Sequence, residues 1–120
     1  MHRLALAFLW LAAACTSTQS GATCPSTDPP TYATFGRAFM QSYCTGCHSA
    51  SARDRHGAPP GRDFDTEAEI RASAAEIDAE AAAGPDAQNT DMPDLTGPVL
   101  APPSMAERER LGQFLACERR

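Results

Sequence analysis

The sequence predicts an all-α fold of about three helices, on three observations. Apolar residues recur at helical spacing in three separate stretches: Tyr32, Phe35, Phe39 and Tyr43; then Ile70, Ala74, Ile77 and Ala81; then Leu111, Phe114 and Leu115. The second and third stretches each open on a capping box, Thr66 to Glu69 and Ser104 to Glu107. The first runs directly into Cys44-Thr45-Gly46-Cys47-His48, a motif that needs a turn of backbone at a helix end. With 120 residues, the chain holds one domain at most.

Residues 1–14 read as an export signal of the lipoprotein type. Arg3 gives a positive start, Leu4 to Leu11 is an apolar run, and Ala12-Ala13-Ala14 supplies small residues for cleavage. The run is too short to span a bilayer. Leu-Ala-Ala-Ala-Cys resembles a bacterial lipobox, so Cys15 is the expected lipidation site, although Ala12 stands where such boxes usually carry Leu. Thr16 after the Cys, rather than Asp, favours the outer membrane over the inner one. Residues 15–30 are rich in Ser, Thr, Pro and Gly and read as the lipidated Cys and a flexible tether, with the folded domain at 31–120.

The first helix carries Gly36 in its interior, where glycine costs about 1 kcal/mol relative to Ala and marks a close approach by another element. At its end, C-x-x-C-H is the attachment signature of a covalent c-type haem. Two thiols on one turn can each add to a haem vinyl group. The residue after the second Cys then lies under the ring, where its imidazole can bind iron. Gly46 lets the backbone lie close to the ring. A redox dithiol and half of a zinc site are the competing readings of C-x-x-C. The first needs a βαβ context that the chain lacks, and the second needs two more ligands at recognisable spacing.

Residues 49–64 contain Gly57, Pro59, Pro60 and Gly61 and read as a loop. The second helix follows, its wet face expected to carry Glu67, Glu69, Glu76, Asp78 and Glu80, and Gly84-Pro85 stops it. Residues 85–103 hold five prolines and no helical period, so they predict an extended wrapping loop. The third helix runs to about Cys117. A domain this small and rich in Ala makes a thin core, which a haem and a staple would reinforce.

Three helices, C-x-x-C-H at the end of the first and a Met in the late loop together resemble the monohaem class I cytochromes c. The resemblance covers roughly Thr31 to Cys117. Gly36, eight positions before Cys44, is similar to the glycine at which that family's first and last helices cross, and Glu107 to Leu115 resembles its last helix. The resemblance implies haem c held by Cys44, Cys47 and His48. Pro59, eleven positions after His48, takes the place of the proline whose carbonyl orients the proximal His. Met92, within Asn89-Thr90-Asp91-Met92-Pro93 and 44 residues after His48, is the expected distal iron ligand. Met40 on the motif's own helix, Met105 inside a capped helix and His56 only eight residues after His48 are weaker choices. The chain departs from the pattern in having one Pro after Met92, where many members have two. Arg53, Arg55 and Arg62 have no counterpart in that family's pattern; they are either partners of haem propionates or solvated loop arginines.

Two cysteines remain, Cys24 and Cys117. An exported chain meets an oxidising compartment, so these are expected to pair, closing a loop worth about 4 kcal/mol in the chain-entropy model. The formal charge of −5 becomes −6 once Arg3 leaves with the signal, and every cation is Arg. Such acidity argues against nucleic acid as a partner. Iron with both axial positions filled has no open substrate site. The resemblance therefore implies no enzyme but a monomeric outer-sphere electron carrier in the bacterial envelope, anchored by lipid, facing the periplasm and meeting redox partner proteins there. A haem-based sensor with a displaceable Met92, or an electron-transfer subunit of a larger oxidoreductase, are the other functions it allows.

Overall fold

Residues 18–120 are described by a computed structural model, and they are all-α. Thr31 caps the first element: its hydroxyl accepts from the Thr34 amide at 3.1 Å, and its own amide donates to the Thr34 hydroxyl at 3.0 Å. A π-helical turn, Tyr32–Gly36, follows and runs into α1, Arg37–Tyr43. Helices α2, Glu67–Ala72, and α3, Ala74–Ala81, replace the single second helix expected. Ser73 breaks it: its backbone leaves the helical region (φ −107, ψ 11) and its amide turns back to Glu69 and Ile70. The apolar stripe survives the break, with Ile70, Ala74, Ile77 and Ala81 all buried. Helix α4, Met105–Glu118, starts at the Ser104–Glu107 capping box. An isolated antiparallel bridge, Ala83 to Gln88, is the one β feature among the described residues.

The core gathers Phe39, Met40, Ile70, Ile77, Leu111, Phe114 and Leu115, with Phe35 and Tyr43 packed on its edge. Ile70, Leu111, Phe114 and Leu115 are fully enclosed; burying each such side chain is worth about 1.5–3 kcal/mol. Phe35 stands between Phe39 (ring centroids 5.4 Å apart) and Phe114 (6.1 Å), joining α1 to α4. The Tyr43 hydroxyl donates to Glu107 at 2.9 Å and ties the end of α1 to the first turn of α4.

Two expectations are corrected here. Asp78 does not face water with its acidic neighbours; it is fully buried, and its carboxylate accepts from the Ser20 amide at 2.6 Å and the Ser20 hydroxyl at 2.8 Å. Residues 18–30, expected within a flexible tether, lie along the domain instead. Asn89 donates to the Thr18 carbonyl at 2.8 Å, Gln19 donates to that of Ala75 at 2.8 Å, and Ser20 is fully enclosed. The physical reason is a slot between two glycines. A Cβ on Gly84 would meet the Ala22 amide at 2.9 Å, and one on Gly112 would meet Ala22 Cβ at 2.8 Å, so the strand of backbone fits only because both lack side chains. Cys24 is disulfide-bonded to Cys117, with Cα atoms 4.7 Å apart, and fixes this segment to the last turn of α4. Cys15 and the export signal lie outside the described residues.

Candidate haem-binding cleft

The C-x-x-C-H segment continues the first helix as a tight turn. The Cys44 amide donates to Met40, and the amides of Cys47 and His48 both donate to the Cys44 carbonyl, at 3.1 and 2.9 Å. This winding turns Cys44, Cys47 and His48 toward one cleft of ≈ 400 Å³ between the 55–62 loop, α3 and the 92–99 segment. Phe39, Tyr43, Ile77, Ala81 and Val99 give it an apolar lining. Met92 and His56 line the same cleft. Met40 is buried in the core, and neither it nor Met105 lines the cleft.

His48 is held on three sides. Its ring stacks on Phe64 (centroids 4.7 Å apart, 22° between planes), and its carbonyl accepts from the Phe64 amide at 2.9 Å. Its Nδ1 lies 2.9 Å from the carbonyl oxygen of Arg62. A carbonyl only accepts, so Nδ1 carries the proton and Nε2 of the neutral ring keeps its lone pair for another partner. The orienting carbonyl is thus Arg62's, which corrects the expectation for Pro59. Two consecutive turns explain the shift: Ala58 N–H donates to Arg55 and Arg62 N–H donates to Pro59 at 3.1 Å, with Gly57 (φ 86) and Gly61 (φ 82) in conformations that favour glycine. Pro59's carbonyl is already taken by the second turn and by Arg55 at 2.7 Å. Pro59 still lines the cleft.

Arg55 organises this loop. Its Nη1 donates to Ser49 O at 2.7 Å and pairs with Asp63 at 2.6 Å; Nη2 donates to Pro59 O and, at 3.3 Å, to Arg62 O; Nε donates to Ala58 O at 3.2 Å. Arg62 pairs with Glu76 across the cleft wall, and Arg53 is exposed.

Met92 is fixed through its backbone. Its amide donates to Glu80 O at 2.9 Å, and its carbonyl accepts from Arg108 Nη1 at 2.7 Å. Arg108 is buried (4% exposed) and has no ion pair among the described residues; the same nitrogen also donates to Ala81 O and Asn89 O. The Met92 residue itself is 38% exposed. Pro98 lies on Gly46, where a Cβ would come within 2.6 Å of Pro98 Cγ, which draws the late loop over the motif.

Burial pushes the Cys44 thiol up to about 12, with Cys47 adding and Arg108 opposing. Burial also raises Cys47, with Asp94 and Asp54 adding and Arg55 opposing. Neither thiol has the lowered pKa of a reactive redox dithiol. Among the described residues no three His, Cys, Asp or Glu side chains gather to hold a metal ion, so a zinc site lacks its ligand set. A haem fits the donors present: two thiols on one turn, an imidazole with its tautomer fixed, and a thioether in the same apolar cleft.

Arg108 is the residue that sequence reasoning did not assign, while the roles of Arg55 and Asp78 differ from those expected. A signal existed only for Arg108, an arginine two positions from Arg110 within an otherwise apolar-striped helix. No family model, curated protein or solved structure matches this chain.

Proposed function

We propose that this protein is a monohaem c-type cytochrome with a cytochrome c-like fold, acting as an outer-sphere electron carrier in the bacterial cell envelope. One observation carries the reading: Cys44, Cys47 and His48 of the C-x-x-C-H motif share a single apolar cleft with Met92, and His48 Nδ1 is engaged by a backbone carbonyl. Haem c would supply the one-electron couple. Cys44 and Cys47 would hold it by thioethers, His48 Nε2 and the Met92 sulfur would ligate its iron, and Phe39, Ile77 and Val99 would exclude water. With the iron ligated by both, the site would offer no place for a substrate, and the protein is read as an electron carrier rather than an enzyme. The thioether ligand favours the reduced state relative to a second imidazole.

A lipid on Cys15 would bring the carrier to a membrane facing the periplasm, with the outer membrane favoured. Among the described residues Thr18 is already held by the domain, and Thr16 and Ser17 stand between it and Cys15 in the sequence. Three extended steps span at most about 11 Å. The domain would therefore sit close to the membrane and receive redox partner proteins there as a monomer, rather than swing on a long tether. Among the described residues no helix is long and apolar enough to cross a membrane.

A second reading, a haem-based sensor, draws on the exposure of Met92 and on His56 in the same cleft. Reduced-minus-oxidised absorption spectra of protein matured with haem-attachment machinery decide between them. A weak far-red band from ferric iron–Met ligation, unchanged spectra under carbon monoxide and loss of covalent haem in the Cys44→Ala/Cys47→Ala double variant are expected. Rapid carbon monoxide binding without that band supports the sensor. Covalent haem retained in the double variant defeats both.

A further inference from the structure

We infer that Arg55 is a positioning residue for His48, and that it sets how strongly the imidazole donates to iron by sharing the carbonyl that orients it; this rests on His48 being an iron ligand. The Arg62 carbonyl accepts from His48 Nδ1 at 2.9 Å and from Arg55 Nη2 at 3.3 Å. A carbonyl oxygen has two lone pairs and can serve both donors. A charged second donor withdraws density from that oxygen, so it pulls less on the imidazole proton. The ring then has less imidazolate character, donates less to iron, and leaves the ferrous state better favoured.

The same guanidinium also fixes where that carbonyl points. Its bonds to Ser49 O, Ala58 O and Pro59 O tie down the chain before Arg62, and Asp63 holds it from the residue just after. Arg55 is about three-quarters shielded, with 23% of its side chain exposed against 18% for Asp63, so these bonds are made away from bulk water. The ion pair with Asp63 at 2.6 Å compensates its charge. A simple Coulombic effect of a cation on iron is therefore reduced, and the effect of the shared carbonyl stands out. Lysine can keep the charge but not the planar fork that reaches several carbonyls at once.

The test compares midpoint potentials of Arg55→Lys, Arg55→Gln and Asp63→Asn, each matured with covalent haem. A pyridine haemochrome spectrum of the parent comes first. Failure to find two thioethers there defeats the haem assignment, and this inference with it, whereas intact thioethers with unmoved potentials defeat the role of Arg55 alone. Both Arg55 variants are expected to shift the potential downward while keeping the iron–Met band, and Asp63→Asn is expected not to lower it. In a Met92→Ala background, the ferrous iron–imidazole stretch of Arg55→Gln should move to higher frequency. A potential that falls for Gln but stays parental for Lys would show a charge effect only and overturn the inference. A parental stretching frequency in Arg55→Gln would overturn it as well.

Discussion

The Phe114 ring rests on the bare Cα of Gly36. A Cβ placed on Gly36 would come within 2.7 Å of Phe114 Cε1 and 2.9 Å of Cε2, closer than side-chain carbons approach one another. Gly36 is the last residue of the π-helical turn and Phe114 lies in the C-terminal half of α4. This contact brings the first and last helices together, with Phe35 filling the space beside it. The rest of the core and the mouth of the cleft are built outward from that crossing.

Gly36→Val should therefore destabilise the fold. Replacing glycine by valine gains only about 0.5 kcal/mol of helix propensity, but forcing a branched side chain against an enclosed ring costs about 1–3 kcal/mol or more, with α1 pushed away from α4. Urea unfolding should show a lower midpoint with an unchanged slope. A midpoint equal to the parent's would mean that the helices can separate at no cost, and that the crossing is not what sets their distance.

Much of this was legible from residue type. A glycine inside an aromatic-striped helix announced the crossing, and the capping boxes at Thr66 and Ser104 gave the starts of α2 and α4. What stayed hidden depends on long-range pairing. The break at Ser73 interrupts an Ala-rich stretch whose period runs on unbroken, so the pattern carries no trace of it. Asp78 looks like its neighbours Glu67, Glu69, Glu76 and Glu80; only the arrival of Ser20, 58 residues away, distinguishes it. The composition of residues 18–30 is that of a linker, and the slot that receives them is made by Gly84 and Gly112, each with a plausible local role. The cleft was visible in Cys44, Cys47, His48 and Met92 because chemistry fixes those residue types. The carbonyl facing His48 was not, because any residue type can supply one.

The Ser20–Asp78 pair predicts a second outcome. Asp78 is fully buried with its carboxylate satisfied by an amide and a hydroxyl, and Arg119 approaches at 3.6 Å. Asp78→Ala strands those donors, at about 1–3 kcal/mol for the unsatisfied groups. Amide exchange at Ser20 and Ala22 should accelerate more than exchange in α4. Adding Cys24→Ala/Cys117→Ala removes the cross-link, worth about 4 kcal/mol in the chain-entropy model, and should free the segment to proteolysis. Continued protection of residues 18–24 in the triple variant would show that the glycine slot alone retains them.

The Tyr43–Glu107 contact makes stability depend on pH at both ends. The Ser104 amide, with smaller help from Tyr43 and the Ser104 hydroxyl, holds the Glu107 carboxyl below its usual range. A lowered carboxyl contributes stability above its unfolded value, about 4.3, and loses it as pH falls through the lower folded value. Tyr43 is raised, first by its hydrogen bond to Glu107 and then by burial. Its contribution is therefore full below the unfolded value, about 10, and fades as pH rises through the higher folded one. Tyr43→Phe should flatten the alkaline limb of a melting-temperature profile, and Glu107→Gln should flatten both limbs. An alkaline limb unchanged in Tyr43→Phe would rule out this pair as its source.

Arg108 supplies the most informative variant for the distal side. A guanidinium buried without a carboxylate is costly, and burial depresses its pKa, with Cys44 opposing. What offsets the cost is the set of carbonyls it closes: Ala81 O at 2.8 Å where α3 ends, Asn89 O at 3.1 Å, and Met92 O at 2.7 Å. Those three acceptors span the whole connection from α3 to the candidate iron ligand, so one side chain of α4 fixes its path. Arg108→Leu leaves the carbonyls unpaired, and about 1–3 kcal/mol of stability should be lost. Arg108→Lys keeps the charge but concentrates its donors at one point, and should lose part of this. The expected sign of distal positioning is a separation in temperature: the iron–Met band should fade several degrees before the helices melt, and carbon monoxide should then bind. If band and helices are lost together in both variants, Arg108 stabilises the fold as a whole and Met92 is positioned by its amide bond to Glu80 instead.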